Sequence, residues 1–401
     1  MPVCQLSPDD LRVGHPTPFG LLDANGHLLM ARGVMVESEA HRDQLLARGL
    51  FVDENAHEDY RRAVAGKVHA LVDDNELLGR IAEVEPTGAV AEAAPTARRT
   101  SDPLAALAEL QIHAGKLLRE TPQADFKARL RKVQQELWAL METDADIALL
   151  VLIDATTNEI RQYSVTHAML VTVVCELASR HLSAWMPAWR EPLRCAALTM
   201  NMAMTALQDV LAQQASPPDP AQRALISSHA LRAVHALKLA GVDDPLWVEA
   251  VRHHHVAPPG ALESMAPSMQ LARLIQRADI FAARLSPRRK RAALSGTAAA
   301  QAAYLDERKQ PDEAGSAIIK AVGIYPPGSF VRLASGEVAV VMRRGARANE
   351  PLVAAVLGRA GTLLGQPVLR DTHQSKFAVT AGVAPQDVRL RLNMERLLRL
   401  L

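Results

Sequence analysis

A handful of polar residues occupy helix positions that would ordinarily be apolar. His167 lies on the stripe formed by Tyr163, Leu170, Val174 and Leu177, spaced as successive turns of one helix face. His229 shares a face with Ile226, Ala230, Ala233 and Leu237. Asp279 follows Leu271, Ile275 and Ala278 and precedes Ala282, and a run His253-His254-His255 comes just before VAPPG. A single histidine on an apolar face is ordinarily a core residue with one hydrogen bond. Three helices that each aim an imidazole or a carboxylate at one core ask for more, because a buried ionisable group costs several kcal/mol unless it is paired or bound to metal. Helices that point such groups into a bundle are a known way to build a metal site. Imidazole and carboxylate together suit iron, manganese, zinc or nickel. The alternative is a set of polar core residues satisfied by one another and by water.

The elements that must position these residues are helices. From about 104 to 315 the text is helical almost throughout, broken at Pro187, Pro217–Pro220, Pro258–Gly260 and Pro287, so the fold class is mainly α. Within it, CAALTMNMAMTALQD (195–209) carries one charge, at its last position, and is expected to be a helix buried on most sides. Residues 1–57 read as a small α+β module. Its Leu21-Leu22 and Leu28-Leu29-Met30 flank an Asn25-Gly26 hairpin signal, and a helix follows from Ser38 to Gly49. That module suits either a sensor or docking role or a stabilising accessory one. Residues 58–103 combine a helix with an Ala/Pro-rich linker. Residues 316–401 contain a β-hairpin: Val331 and Leu333 on one strand, a turn at Ala334-Ser335-Gly336, and Val338, Val340 and Met342 on the return. VRLRLNMERLLRLL closes the chain as a helix. Helices 104–142 would serve either as a homodimer seam or as packing against the bundle.

Composition narrows the partners. The 401 residues allow two or three domains and a sizeable core. A net charge of +1 and few aromatics argue against nucleic acid. No uncharged apolar run approaches the roughly 18–20 residues of a membrane span. The opening MPVCQLSPDD lacks the apolar run of a signal peptide, so a cytoplasmic location is expected. The three cysteines, Cys4, Cys175 and Cys195, form neither a disulfide framework nor a zinc pattern.

The order of the polar residues resembles the HD-GYP domain, a subgroup of the HD metal-dependent phosphohydrolases that cleaves cyclic di-GMP in bacteria. The family pattern has a histidine in a helix, an LLHDIGK-like segment, a helix with His-Pro, HHExxDGxGYP, and aDxfdA. This chain offers YSVTHAM with His167, AALTMNMAM (196–204), ISSHALRAVHAL with His229, AVRHHHVAPPG (250–260) and RADIFAARLSPRRKRAAL with Asp279. The resemblance spans about 155 to 345. It implies an HD-type helical bundle, a site in which His167, His229, His253, His254 and Asp279 would hold one divalent ion, and cyclic di-GMP or a signalling protein as partner. It also sets Arg288 and Arg289, in the basic run RLSPRRKR (284–291), near a ligand phosphate; a solvated helix start is the other reading.

Laid on that pattern, Met200 stands at the histidine of the HD pair and Asn201 at its aspartate. Ala203 and Met204 replace the glycine and lysine, His255 replaces the glutamate after the double histidine, and the GYP triplet is missing. In the family the aspartate bridges two metal ions and helps orient an attacking water. Two dications about 4 Å apart at an effective dielectric near 20 repel by roughly 16 kcal/mol before ligand charge is counted, and neutral Asn201 does not offset that. A thioether such as Met200 is a poor ligand for hard or borderline divalent metals. The resemblance therefore implies a degenerate signalling protein that binds a ligand of the cyclic di-GMP pathway or docks a protein without turnover. The alternatives are a metal-dependent phosphodiesterase with an altered site and a purely structural bundle.

Overall fold

The computed structural model of the chain describes short stretches within residues 3–53 and residues 102–401 apart from 121–124, 184 and 259. The expected helix at 58–85, the linker up to 101, the Asn25-Gly26 turn and Gly49 lie outside the described residues. Two units are present, 1–98 and 99–401.

In the first unit, β1 (Val3–Gln5), β2 (Leu21–Leu22), β3 (Leu28–Met30) and β4 (Phe51–Asp53) form an antiparallel sheet in the order β1-β4-β2-β3, with α1 at Glu39–Ala47. Leu21 pairs with Met30, as the hairpin signal requires. Leu21, Met30, Val36, Leu45, Leu50 and Val52 make its small core.

The second unit opens with α2 (Pro103–Arg119), α3 (Phe126–Thr143), α4 (Ala145–Asn158) and α5 (Tyr163–Ser179). Every residue of α5 is buried, because α4, α6 (Arg190–Thr199), α10 (Pro267–Leu285) and α12 (Glu313–Val322) all pack against it. α7 (Thr205–Gln213), α8 (Pro220–Leu239), α9 (Pro245–His253) and α11 (Gly296–Tyr304) complete the bundle. Starts are set by local chemistry. Asp219 and Gln222 form a reciprocal capping box before α8, and Asp244 accepts from Leu246 and Trp247 at the head of α9. Proline occupies the first turn of α2, α8, α9 and α10, where no intrahelical partner for its missing N–H is needed.

The stretch 195–209 is not one helix. α6 stops at Thr199, a 3-10 turn covers Met202–Met204, and α7 starts at Thr205. Thr199 Oγ1 bonds back to the Cys195 carbonyl while accepting the Trp247 indole N–H, and Thr205 Oγ1 bonds the Met202 carbonyl. Such hydroxyl back-bonds compete with the helix ladder and bend it. Asn201 thus sits at a break between helices.

The C-terminal sheet is antiparallel, ordered β8 (Leu363–Asp371), β7 (Leu352–Leu357), β6 (Val338–Arg343), β5 (Phe330–Leu333), β9 (Val379–Val383). Gly336 adopts φ +87° in the β5–β6 turn, which explains glycine there. Phe330, Val338, Val340 and Met342 join the helical core, while Val331, Leu333, Ala339 and Val341 form a second cluster on the opposite face. The terminal helix is shorter than its sequence suggests. It runs only Met394–Leu398 (α14), capped by Asn393, after a short α13 (Pro385–Val388) that ends with Arg389 in left-handed backbone.

Candidate metal centre

Three imidazoles meet where α8 packs on the end of α9. His229 Nε2 lies 3.1 Å from His254 Nε2 and 3.2 Å from His255 Nε2, and one potential ligand atom from each residue falls within 4.8 Å of the others. His229 Nδ1 donates to the Ile226 carbonyl at 2.5 Å, and His254 Nδ1 donates to the Val251 carbonyl at 2.7 Å. A carbonyl can only accept, so both rings carry their proton on Nδ1 and present a bare Nε2 lone pair. Two lone pairs face to face repel unless a cation or proton lies between them. Backbone acceptors on the far nitrogen are how metal-ligating histidines are oriented. Two imidazole nitrogens sharing one tetrahedral ion stand about 3.3 Å apart, given metal–nitrogen bonds near 2.0–2.1 Å. The donor set therefore fits a divalent ion of borderline softness. Burial, the charge of His255 and the neighbouring Arg232 hold His229 below the usual histidine range, against the pull of Ile226 and Asp279. Burial and the positive charge of His255 push His254 down to about 3. Both are neutral, the form that binds metal.

A second polar group comes from α5 and α10. His167 Nε2 donates to Asp279 Oδ1 at 2.7 Å. Burial would raise Asp279, but the hydrogen bond and charge of His167, with His254 and His255, bring it down to about 2. Asp279 is thus an ionised carboxylate electrically coupled to all three members of the triad. The Tyr163 ring stacks on His167 at 5.4 Å and 11°. α10 is held in turn by Arg273, which bonds Asp312 at the head of α12, and by Arg277, which bonds Glu307 and the Leu305 carbonyl.

Of the expected ligands, His229 and His254 meet, and His167 pairs with Asp279. His253 stands outside the triad, with its Nε2 3.2 Å from Glu249 Oε2. The reason is local: α9 ends at His253, so that residue still follows helical spacing and faces its i−4 carboxylate, while His254 and His255 lie in the turn beyond. Glu249 four residues earlier was the available sequence signal. His255, taken in sequence as a replacement for a glutamate, completes the triad instead. Met200 is fully buried in the hydrophobic core. Asn201 is buried too, and its carbonyl accepts from the Met204 N–H. Arg288 is turned inward onto Tyr163, and Arg289 is exposed with its backbone N–H on the Ala212 carbonyl.

No protein-family model matches this chain, and no curated protein does. Among solved structures, the chain is similar to Bd1817, described as a HDG"Y"P protein from Bdellovibrio bacteriovorus, at 14% identity and a TM-score of 0.42. That alignment covers 80% of this chain and 99% of that one. A likeness at this level says nothing about activity. Among the described residues, no helix is long and apolar enough to cross a membrane.

Proposed function

We propose that the helical unit is a degenerate HD-GYP-like signalling module that holds one divalent ion and binds cyclic di-GMP without hydrolysing it. The observation that carries this reading is the convergence of three Nε2 atoms, two of them bared by carbonyl acceptors on Nδ1. His229, His254 and His255 would hold the ion, and ionised Asp279 would offset part of its charge. A bound divalent ion supplies Lewis acidity and a strong point charge for a phosphate oxygen. A second ion beside it needs a bridging anion, and the position that would offer one carries neutral Asn201.

Hydrolysis at an altered site is the second reading, favoured by Asp279, whose carboxylate stays ionised beside the triad. Elemental analysis of the purified full chain, calorimetry with cyclic di-GMP and a hydrolysis assay separate the two. The expected outcome is about one ion per chain, measurable binding heat and no linear product. Turnover that His254→Ala abolishes would replace the first reading with the second. A chain that takes up neither metal nor cyclic di-GMP would refute both, leaving protein docking or a structural bundle.

A further inference from the structure

The basic run RLSPRRKR is not a loose solvated segment. Arg288 and Arg291 exchange backbone hydrogen bonds at 2.8 Å each, closing a tight turn, and the Arg289 N–H pins that turn to the end of α7 through the Ala212 carbonyl at 2.9 Å. Arg291 bonds the Ala283 and Ser286 carbonyls at the end of α10. With its backbone held at these points, Arg288 turns its side chain inward. Its Nη2 donates to the Tyr163 hydroxyl oxygen at 2.9 Å, and its guanidinium lies 5.2 Å from the Tyr163 ring centroid. This places a delocalised cation on an aromatic ring that is itself buried, where such contacts are strongest.

Tyr163 in turn touches His167, a buried ring of the site that lacks a second hydrogen-bonding anchor. His229 and His254 each have Nδ1 held by a carbonyl. His167 has only its Nε2 bond to Asp279, and its Nδ1 is buried without a partner. One hydrogen bond leaves an imidazole free to rotate about that axis. The near-parallel Tyr163 ring covers one face of that imidazole and opposes such rotation.

We propose that Arg288 and Tyr163 are positioning residues of this centre. Arg288 orients Tyr163, Tyr163 orients His167 by stacking, and His167 holds the Asp279 carboxylate toward the three-histidine cluster. The inference rests on the reading of that cluster as a metal site, and it gives the 284–291 turn a role in that site through contacts rather than through a ligand.

The test uses the full chain with Tyr163→Leu, Tyr163→Phe, Arg288→Ala and Arg288→Lys. Cobalt(II) titration followed by visible absorption reads affinity. Proton NMR of the metal-free protein reads the His167 Nε2–H resonance, assigned by its loss in His167→Gln. Tyr163→Leu and Arg288→Ala are expected to weaken cobalt binding about tenfold, the lower end of what losing an outer-shell partner of a metal ligand does, and to shift or broaden the His167 resonance. Tyr163→Phe keeps the ring and Arg288→Lys keeps the charge, so each should recover most of both readouts. Unchanged affinity and an unchanged resonance in Tyr163→Leu and Arg288→Ala would overturn the proposal, as would equal losses in the Leu and Phe variants. If the parent chain takes up no cobalt, the metal reading fails by itself, and the resonance in the metal-free variants still decides whether the two residues orient His167.

Discussion

At the scale of single residues, the site is defined by which imidazole nitrogen is free. His229 and His254 donate Nδ1 to carbonyls of their own helical turns, so their Nε2 atoms are committed to each other's neighbourhood. His253 is not part of this set. His254→Ala and His255→Ala should bring the metal-to-protein ratio close to background in elemental analysis, whereas His253→Ala should leave it near that of the parent. Equal loss in all three would remove the distinction. Burial of neutral histidines also sets a pH dependence. His254 titrates near 3 in the fold against about 6.5 in an unfolded chain, and His229 is displaced in the same direction. The unfolded chain therefore binds more protons between these values, so their contribution to stability is fully present above pH 6.5 and is lost as pH falls from there toward 3. His254 contributes a slope of about 1.4 kcal/mol per pH unit in that window, and His229 adds to it in the same sense. Asp279, depressed to about 2, adds a loss in the same sense below its usual carboxylate range. Urea midpoints of metal-free protein from pH 7 to 4 check this; a flat profile would contradict neutral buried imidazoles.

At the scale of elements, helix ends matter more than helix faces. α9 stops at His253, and this termination sends His254 and His255 toward α8. The break between α6 and α7 puts Asn201 in a turn, held there by Thr199 and Thr205. Thr199 has a second task, accepting the indole N–H of buried Trp247 on α9. Thr199→Val conserves shape but leaves that N–H unpaired, and should lower stability by about 1–3 kcal/mol in denaturant titration. A stability within error of the parent would show that water reaches the indole. The same break hosts a gain-of-function test. Met200→His with Asn201→Asp adds a ligand and a negative charge where the resembled pattern carries them, and should raise metal content above the parent's. Unchanged content would count against placing these two positions on that pattern.

At the scale of the molecule, the sheet and the helices of residues 99–401 share one hydrophobic core. Met342 in β6 is fully buried among residues that also include Phe281 and Ile318 of the helices. Met342→Ala should therefore lower the stability of the whole unit by about 2–5 kcal/mol, with helical circular dichroism and tryptophan fluorescence moving together; separate transitions would show that the sheet unfolds alone. Much of this organisation was legible in the chain itself. Hydrophobic periodicity and turn residues depend on neighbours close in sequence, so they mark the mainly helical block, the β5–β6 hairpin and the buried setting of His167 and His229, whereas Asp279 is only half-buried. Two things depend on contacts between residues far apart. One is which two of three consecutive histidines enter the cluster, because a one-residue change past a helix end redirects a side chain. The other is the inward turn of Arg288, 125 positions from Tyr163. A basic run reads as solvated until its backbone is pinned by another helix, and only packing of α5, α7 and α10 brings its guanidinium to a buried ring.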